Sequence, residues 1–144
     1  MSLTKAQARD AIAALFKAAV DAYNLANNPD IEIFWEDVEK AEKDAKGAHF
    51  RAFIKHTDAD QMTLGGVGSR RFMRAGIVTI QVMTPFGDGF TLAETLGTVA
   101  RNAFEGVSTP NGVWFRRTSV KDIGKTGGYQ QTNVVANFEY TEQR

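Results

Sequence analysis

Cysteine is absent from this 144-residue chain, which excludes disulfides, thiolate metal sites and a cysteine nucleophile together. The absence fits a protein made in a reducing cytoplasm. Histidine is nearly as scarce, with two residues. His49 and His56 are an odd number of positions apart, so on one strand they point to opposite faces, roughly 23 Å apart at about 3.3 Å per residue. That spacing argues against a shared metal site, and both read as surface residues. Net charge is lacking too: Lys plus Arg and Asp plus Glu count 17 each. Proteins that grip duplex nucleic acid draw most of their affinity from excess positive charge, and none is present overall. No apolar run approaches the ~20 residues that cross a bilayer. Residues 2–10 are polar, unlike a signal peptide.

What is present is ordinary for a folded domain. Hydrophobic residues make up 43% and charged residues 24%, near the average for globular proteins. The length fits one domain, which at this size buries roughly 70% of the surface its unfolded chain exposes. No repeat, low-complexity tract or linker interrupts it.

The start reads as a helix. Thr4 with Gln7 has capping-box spacing, and Ile12, Leu15, Phe16, Ala19, Val20 and Tyr23 recur at helical spacing. Asn27, Asn28 and Pro29 should end it. Residues 31–35 form a short β-like apolar run, and 36–46 are a loop or a short solvated helix. From Ala48 the period is two: Ala48, Phe50, Ala52 and Ile54 share one face, and His49, Arg51, Phe53 and Lys55 the other. Residues 57–69, with Gly65, Gly66 and Gly68, read as a long mobile hairpin loop. Residues 72–84 then form a long strand that is mostly apolar on both faces from Gly76, as in a central strand.

Residues 85–89 are a turn by composition. Thr91, with Glu94 three residues on, is the next N-cap candidate. Leu92, Leu96, Val99, Ala100, Ala103 and Phe104 mark the apolar face of a second helix, stopped near Gly106. Residues 112–123 and 129–140 form a closing hairpin around a glycine-rich turn. The expected fold class is α+β, a mainly antiparallel sheet of about five strands packed with two helices.

Chemistry is hard to find in this pattern. The acids Glu36, Asp37, Glu39, Glu42 and Asp44 interleave with lysines and read as a solvated face rather than a cation site. Gly124-Lys125-Thr126 resembles the end of a phosphate loop, but Ser119 stands where that motif needs glycine, and a strand follows instead of a helix. Trp35 and Trp114 lack a basic surround and read as core or interface. No catalytic, metal or cofactor constellation emerges.

A resemblance does emerge from the order of the pieces. Arg70-Arg71 enters the strand that carries Gly76-Ile77-Val78-Thr79-Ile80-Gln81-Val82. The turn Thr84-Pro85-Phe86-Gly87-Asp88-Gly89 follows, then a helix with Leu92, Leu96 and Phe104. Gly112-Val113-Trp114-Phe115, Gly127-Gly128-Tyr129-Gln130 and a strand ending in Phe138-Glu139-Tyr140 complete it. With the N-terminal helix and the Trp35 region, nearly the whole chain resembles the tail terminator, or tail completion, proteins of long-tailed phages of the lambda type. No single piece is specific, and the plan is also similar to that of tail tube and head–tail joining proteins.

The resemblance implies a virion structural protein at the head-proximal end of the tail, made in the host cytoplasm, with no enzymatic turnover, no cofactor and no membrane. It implies a homohexameric ring that sits on the last ring of tail tube protein, stops its polymerisation and presents a surface to the head–tail connector or neck protein. Genomic DNA would pass through the channel without sequence-specific binding. A ring of this kind uses heterologous contacts between copies, and strand edges are one place where subunits pair. The expected interface residues are Met62 and Leu64 on the long loop, Phe86 on the Pro-Gly turn, and Lys121, Lys125 and Tyr129 flanking the last hairpin tip. Arg70 and Arg71 either face the DNA channel or pair across subunits with Glu94 or Asp88, the second being favoured. A tube or connector subunit is the first alternative, and a small enzyme or ligand-binding α+β domain the second.

Overall fold

The computed structural model describes residues 3–27, 31–36, 47–87 and 90–144. Helix α1 spans Lys5–Asn27 and begins as the capping box requires. The Thr4 backbone N–H donates to Gln7 Oε1 at 2.9 Å, and the Gln7 N–H donates to Thr4 Oγ1 at 3.2 Å. Two of the orphan donors of the first turn are thereby satisfied. At its other end Asn24 brackets Ile31 through both backbone groups, at 3.1 Å each, and so fixes the start of strand β1 (Glu32–Trp35).

Strands β2 (His49–Gln61) and β3 (Arg71–Pro85) form a long hairpin. Helix α2 (Phe90–Phe104) follows, then β4 (Trp114–Thr126) and β5 (Tyr129–Gln143). The sheet order is β1-β2-β3-β5-β4. Only β1 and β2 pair in parallel; the other neighbours are antiparallel. The fold is α+β, and β3 is the central strand that its two apolar faces predict.

Both helices lie on one face of the sheet. Ile12, Phe16 and Val20 of α1 and Leu96, Ala100 and Phe104 of α2 pack on Phe50, Ala52, Val78, Ile80, Val134, Ala136 and Phe138, all essentially buried. Phe16 is the hub: it meets Phe50 edge-on at 5.2 Å, Trp35 edge-on at 6.3 Å and Phe104 stacked at 5.8 Å. The opposite face carries half-buried Phe53, Ile77, Thr79, Gln81, Asn133 and Val135.

Three expectations need correction. Residues 57–61 are not loop. Strand β2 runs on through Gln61, with a bulge between His56 and Asp58, so the loop is 62–70. The polar composition of this stretch follows from its exposure: residues 57–61 pair with β3 but cover no core. Second, α2 starts at Phe90, so Thr91 lies inside its first turn, and its carbonyl accepts from Thr95 Oγ1 at 2.8 Å. Third, His49 is buried, not on the surface. It lies on the face away from the helices, between the rings of Phe34 (5.2 Å) and Tyr129 (5.1 Å), with Nδ1 2.9 Å from the Gly47 carbonyl. The loop-or-helix question for 36–46 falls, beyond Glu36, outside the described residues.

Candidate functional site

The expected interface residues separate into two groups at opposite ends of β3. One end is the arm formed by β2 and β3 beyond the bulge. Its loop is pinned by its own hydrogen bonds. Met62 N–H donates to the Arg71 carbonyl at 2.7 Å, Arg71 N–H to Thr63 Oγ1 at 2.9 Å, and Arg70 Nε to the Gly65 carbonyl at 2.8 Å. The backbones of Arg70 and Arg144 exchange two bonds at 2.8 and 2.9 Å, and Gln143 Nε2 reaches the Gly68 carbonyl at 3.2 Å. On this frame Leu64 is 96% exposed and Val67 89%, with Met62 at 53%. Val67 belongs with the two residues expected from the sequence; as an apolar residue among glycines it carried the same signal.

The other end is built by the β3–α2 and β4–β5 turns. Phe86 N–H donates to the Gly128 carbonyl at 2.8 Å, which ties the two turns together. Phe86 is exposed on this tie, with Lys125 Nζ 4.6 Å from its ring centroid, a cation–π geometry. Phe90, the first residue of α2, is 65% exposed. Pro85, Phe86, Gly87, Phe90 and Gln130 line an apolar hollow of about 220 Å³. The sequence pattern held no sign that Phe90 joins Phe86 in one hollow.

Two residues do not sit as expected. Tyr129 is half-buried against His49 rather than projecting. Lys121 is exposed on β4 opposite Asn133, well back from the hairpin tip. Arg71 is exposed on β3 opposite Gln143, with no ion-pair partner among the described residues. Arg70 is half-buried and its Nε is taken by the Gly65 carbonyl. Glu94 belongs to the turn end, remote from both arginines of its own chain, and Asp88 lies outside the described residues.

A polar cleft of about 390 Å³ lies where the arm meets the start of α1, between Lys5, His56, Asp58, Arg74, Tyr140 and Glu142. Arg74 Nε donates to Glu142 Oε2 at 2.9 Å. The His56 ring lies edge-on to Phe138 and Tyr140 at 5.3 and 5.6 Å, and among the described residues neither of its nitrogens has a hydrogen-bond partner; nor does the buried Tyr140 hydroxyl. Burial, then the charges of Lys5, Arg9 and Arg74, hold the His56 pKa below its ordinary 6.5. Burial and then Glu142 push the Tyr140 phenol above its usual value, against the pull of Arg74. Among the described residues no three His, Cys, Asp or Glu side chains gather to hold a metal ion.

The His56 shift has a consequence for stability. As pH falls, the unfolded chain protonates this residue first, because its folded pKa is the lower one. The folded state is therefore unpenalised above about pH 6.5 and loses stability below it. Between pH 7 and pH 5, His56→Phe should lose less melting temperature than the parent chain. Equal losses in the two proteins would refute the shift.

No helix among the described residues is long and apolar enough to cross a membrane. No protein family matches the chain, and no curated protein matches it. Among the solved structures that match, one carrying no functional name is 18% identical, with a TM-score of 0.65, and the alignment covers 92% of this chain and 94% of that one. At that identity the likeness speaks for the fold alone.

Proposed function

We propose that this chain is a non-enzymatic virion protein that caps the phage tail tube as a ring of copies, ends tube growth and forms the surface for head joining. The observation that carries the reading is the pairing of exposed apolar ends. Leu64 and Val67 stand on a loop pinned by hydrogen bonds, and Phe86 and Phe90 stand on tied turns at the far end. Large apolar side chains held rigidly in water at both ends of a domain are what a surface needs to bind copies and neighbours. The ordered sequence pattern of tail terminators, read along one continuous fold, supplies the identity of those neighbours: tail tube protein on one side, a connector or neck protein on the other.

The test is the mass of the purified protein and its negative-stain images, alone and with tail tubes. A closed ring seated on tube ends is expected. Long polymers would make it a tube subunit instead, and a chain single at every concentration that ignores tubes would end the reading. Deleting residues 62–68 joins Gln61 to Ser69 and leaves a short hairpin connection before Phe72, a length that β-hairpins accept. The shortened protein should fold and melt within a few degrees of the parent yet fail to cap tubes. Normal capping by it would remove the loop from the interface.

One observation favours a second reading, a small ligand-binding domain: the cleft beside His56 with its unpartnered polar atoms. A thermal shift with small polar ligands, in a protein that forms no ring, would favour that reading.

A further inference from the structure

The arm end carries exposed apolar side chains and the turn end an apolar hollow, and one chain cannot join them. β3 runs from Arg71, opposite Gln143, to Pro85, opposite Tyr129, a separation of roughly 45 Å at about 3.3 Å per residue. The turn-end hollow, at about 220 Å³, lies below the ~300–1,000 Å³ of ordinary small-molecule sites. It is of a size for aliphatic side chains, and its lining is Pro85, Phe86, Gly87, Phe90 and Gln130. Among the described residues outside α1, the two most exposed aliphatic side chains are Leu64 and Val67, both on the arm loop.

Charge points the same way. Beside the arm loop, Arg71 and Asp60 are exposed. Beside the hollow, Glu94 and Lys125 are exposed. None of the four has an ion-pair partner among the described residues. Each end thus offers exposed charges of both signs, and opposite signs can be brought together when the ends meet.

We propose that Leu64 and Val67 of one copy seat in the Phe86–Phe90 hollow of a second copy, with Arg71 facing Glu94 and Asp60 facing Lys125 across the contact. An apolar anchor in a pocket ringed by polar groups is the arrangement that concentrates binding energy in an interface. The contact joins two different patches, so it is heterologous: it closes into a ring if the rotation per copy fits and runs on as a filament if it does not. The loop's hydrogen bonds lower the ordering cost of binding, since the loop is already shaped. This contact deepens the ring-cap reading by naming which surfaces of two copies meet, and it rests on that reading only for its biological setting.

The absence of cysteine makes a clean test. Gly66→Cys and Thr91→Cys, exposed positions that flank the anchor and the hollow and leave Leu64, Val67, Phe86 and Phe90 in place, are made as separate full-length proteins, mixed at low ionic strength and oxidised. Disulfides form only where Cα atoms come within about 7 Å. A mixed dimer should form about tenfold or more faster than in a control mixture of Leu25→Cys with Thr91→Cys, because the contact raises the effective thiol concentration. Leu25 is 85% exposed on α1 and serves as an accessible site outside the contact. Adding Arg71→Glu to the Gly66→Cys protein should slow the reaction, and pairing it with Thr91→Cys carrying Glu94→Arg should restore it. Rates no faster than the control, or unaffected by the Arg71 reversal, would overturn the proposal. The assay contains no tail tubes, so its failure leaves the capping experiment to be decided separately, and failure to cap tubes leaves the cross-link intact.

Discussion

Phe16→Ala should lower the unfolding free energy by about 3–5 kcal/mol, the usual cost of truncating a buried phenylalanine. Phe16 is fully buried and touches three aromatic rings, on β1, β2 and α2. Its removal loses the transfer energy of the ring, leaves a cavity between helix and sheet, and forfeits ring–ring contacts worth about 0.5–1.5 kcal/mol each in favourable pairs. The melting temperature should fall by on the order of 10 °C, at roughly 2–4 °C per kcal/mol for a domain near this size. A loss below about 1 kcal/mol would mean that α1 does not pack on the sheet through this residue.

Gly76→Ala should be comparably severe for the opposite reason. Gly76 lies on the helix-side face of β3, paired with His56 on β2 and Phe138 on β5. A Cβ added there would collide with the Lys55 carbonyl oxygen and with the ring edge of Phe138. The carbonyl is backbone in a paired strand and cannot rotate away. The Phe138 ring is fully buried and can yield only by leaving its place beside His56. Overpacking of this kind costs about 1–3 kcal/mol and sometimes more, and here the upper end is expected. Denaturant melts should show a lower midpoint with an unchanged slope. An alanine protein as stable as the parent would show that the β2–β3–β5 register is misplaced at this row.

Much of this architecture is legible in the residues. The Thr4–Gln7 capping box, the helical spacing of Ile12, Phe16 and Val20, and the alternation from Ala48 to Ile54 each state their element locally. The two apolar faces of β3 place it at the centre of the sheet, where the pairing puts it. The unread parts depend on partners distant in sequence. His49 alternates with the polar face of β2 and so looks exposed; it is buried because Phe34 and Tyr129, from β1 and β5, close over it. Residues 57–61 look like loop because this exposed end of β2 has no core to face, and the bulge at Thr57 breaks the alternation. At the candidate interface, Met62, Leu64 and Phe86 were readable as apolar residues among turn formers. That Phe90 completes the hollow with Phe86, and that Tyr129 is turned inward, depends on how two turns meet through the Phe86–Gly128 bond.

The irregularities along the sheet margins bear on how the chain meets foreign strands. β4 is broken at Arg117, which adopts φ +46°, and again at Ile123, while β2 is broken at Thr57 beyond the stretch that β1 covers. Each break twists the margin and leaves a residue outside the ladder. A foreign strand therefore meets no long, flat row of donors and acceptors to copy, which is how natural sheets resist templated fibril growth. Growth by stacking strand upon strand is thereby disfavoured, and any contact between copies has to be made by shaped surfaces instead of by continued sheet.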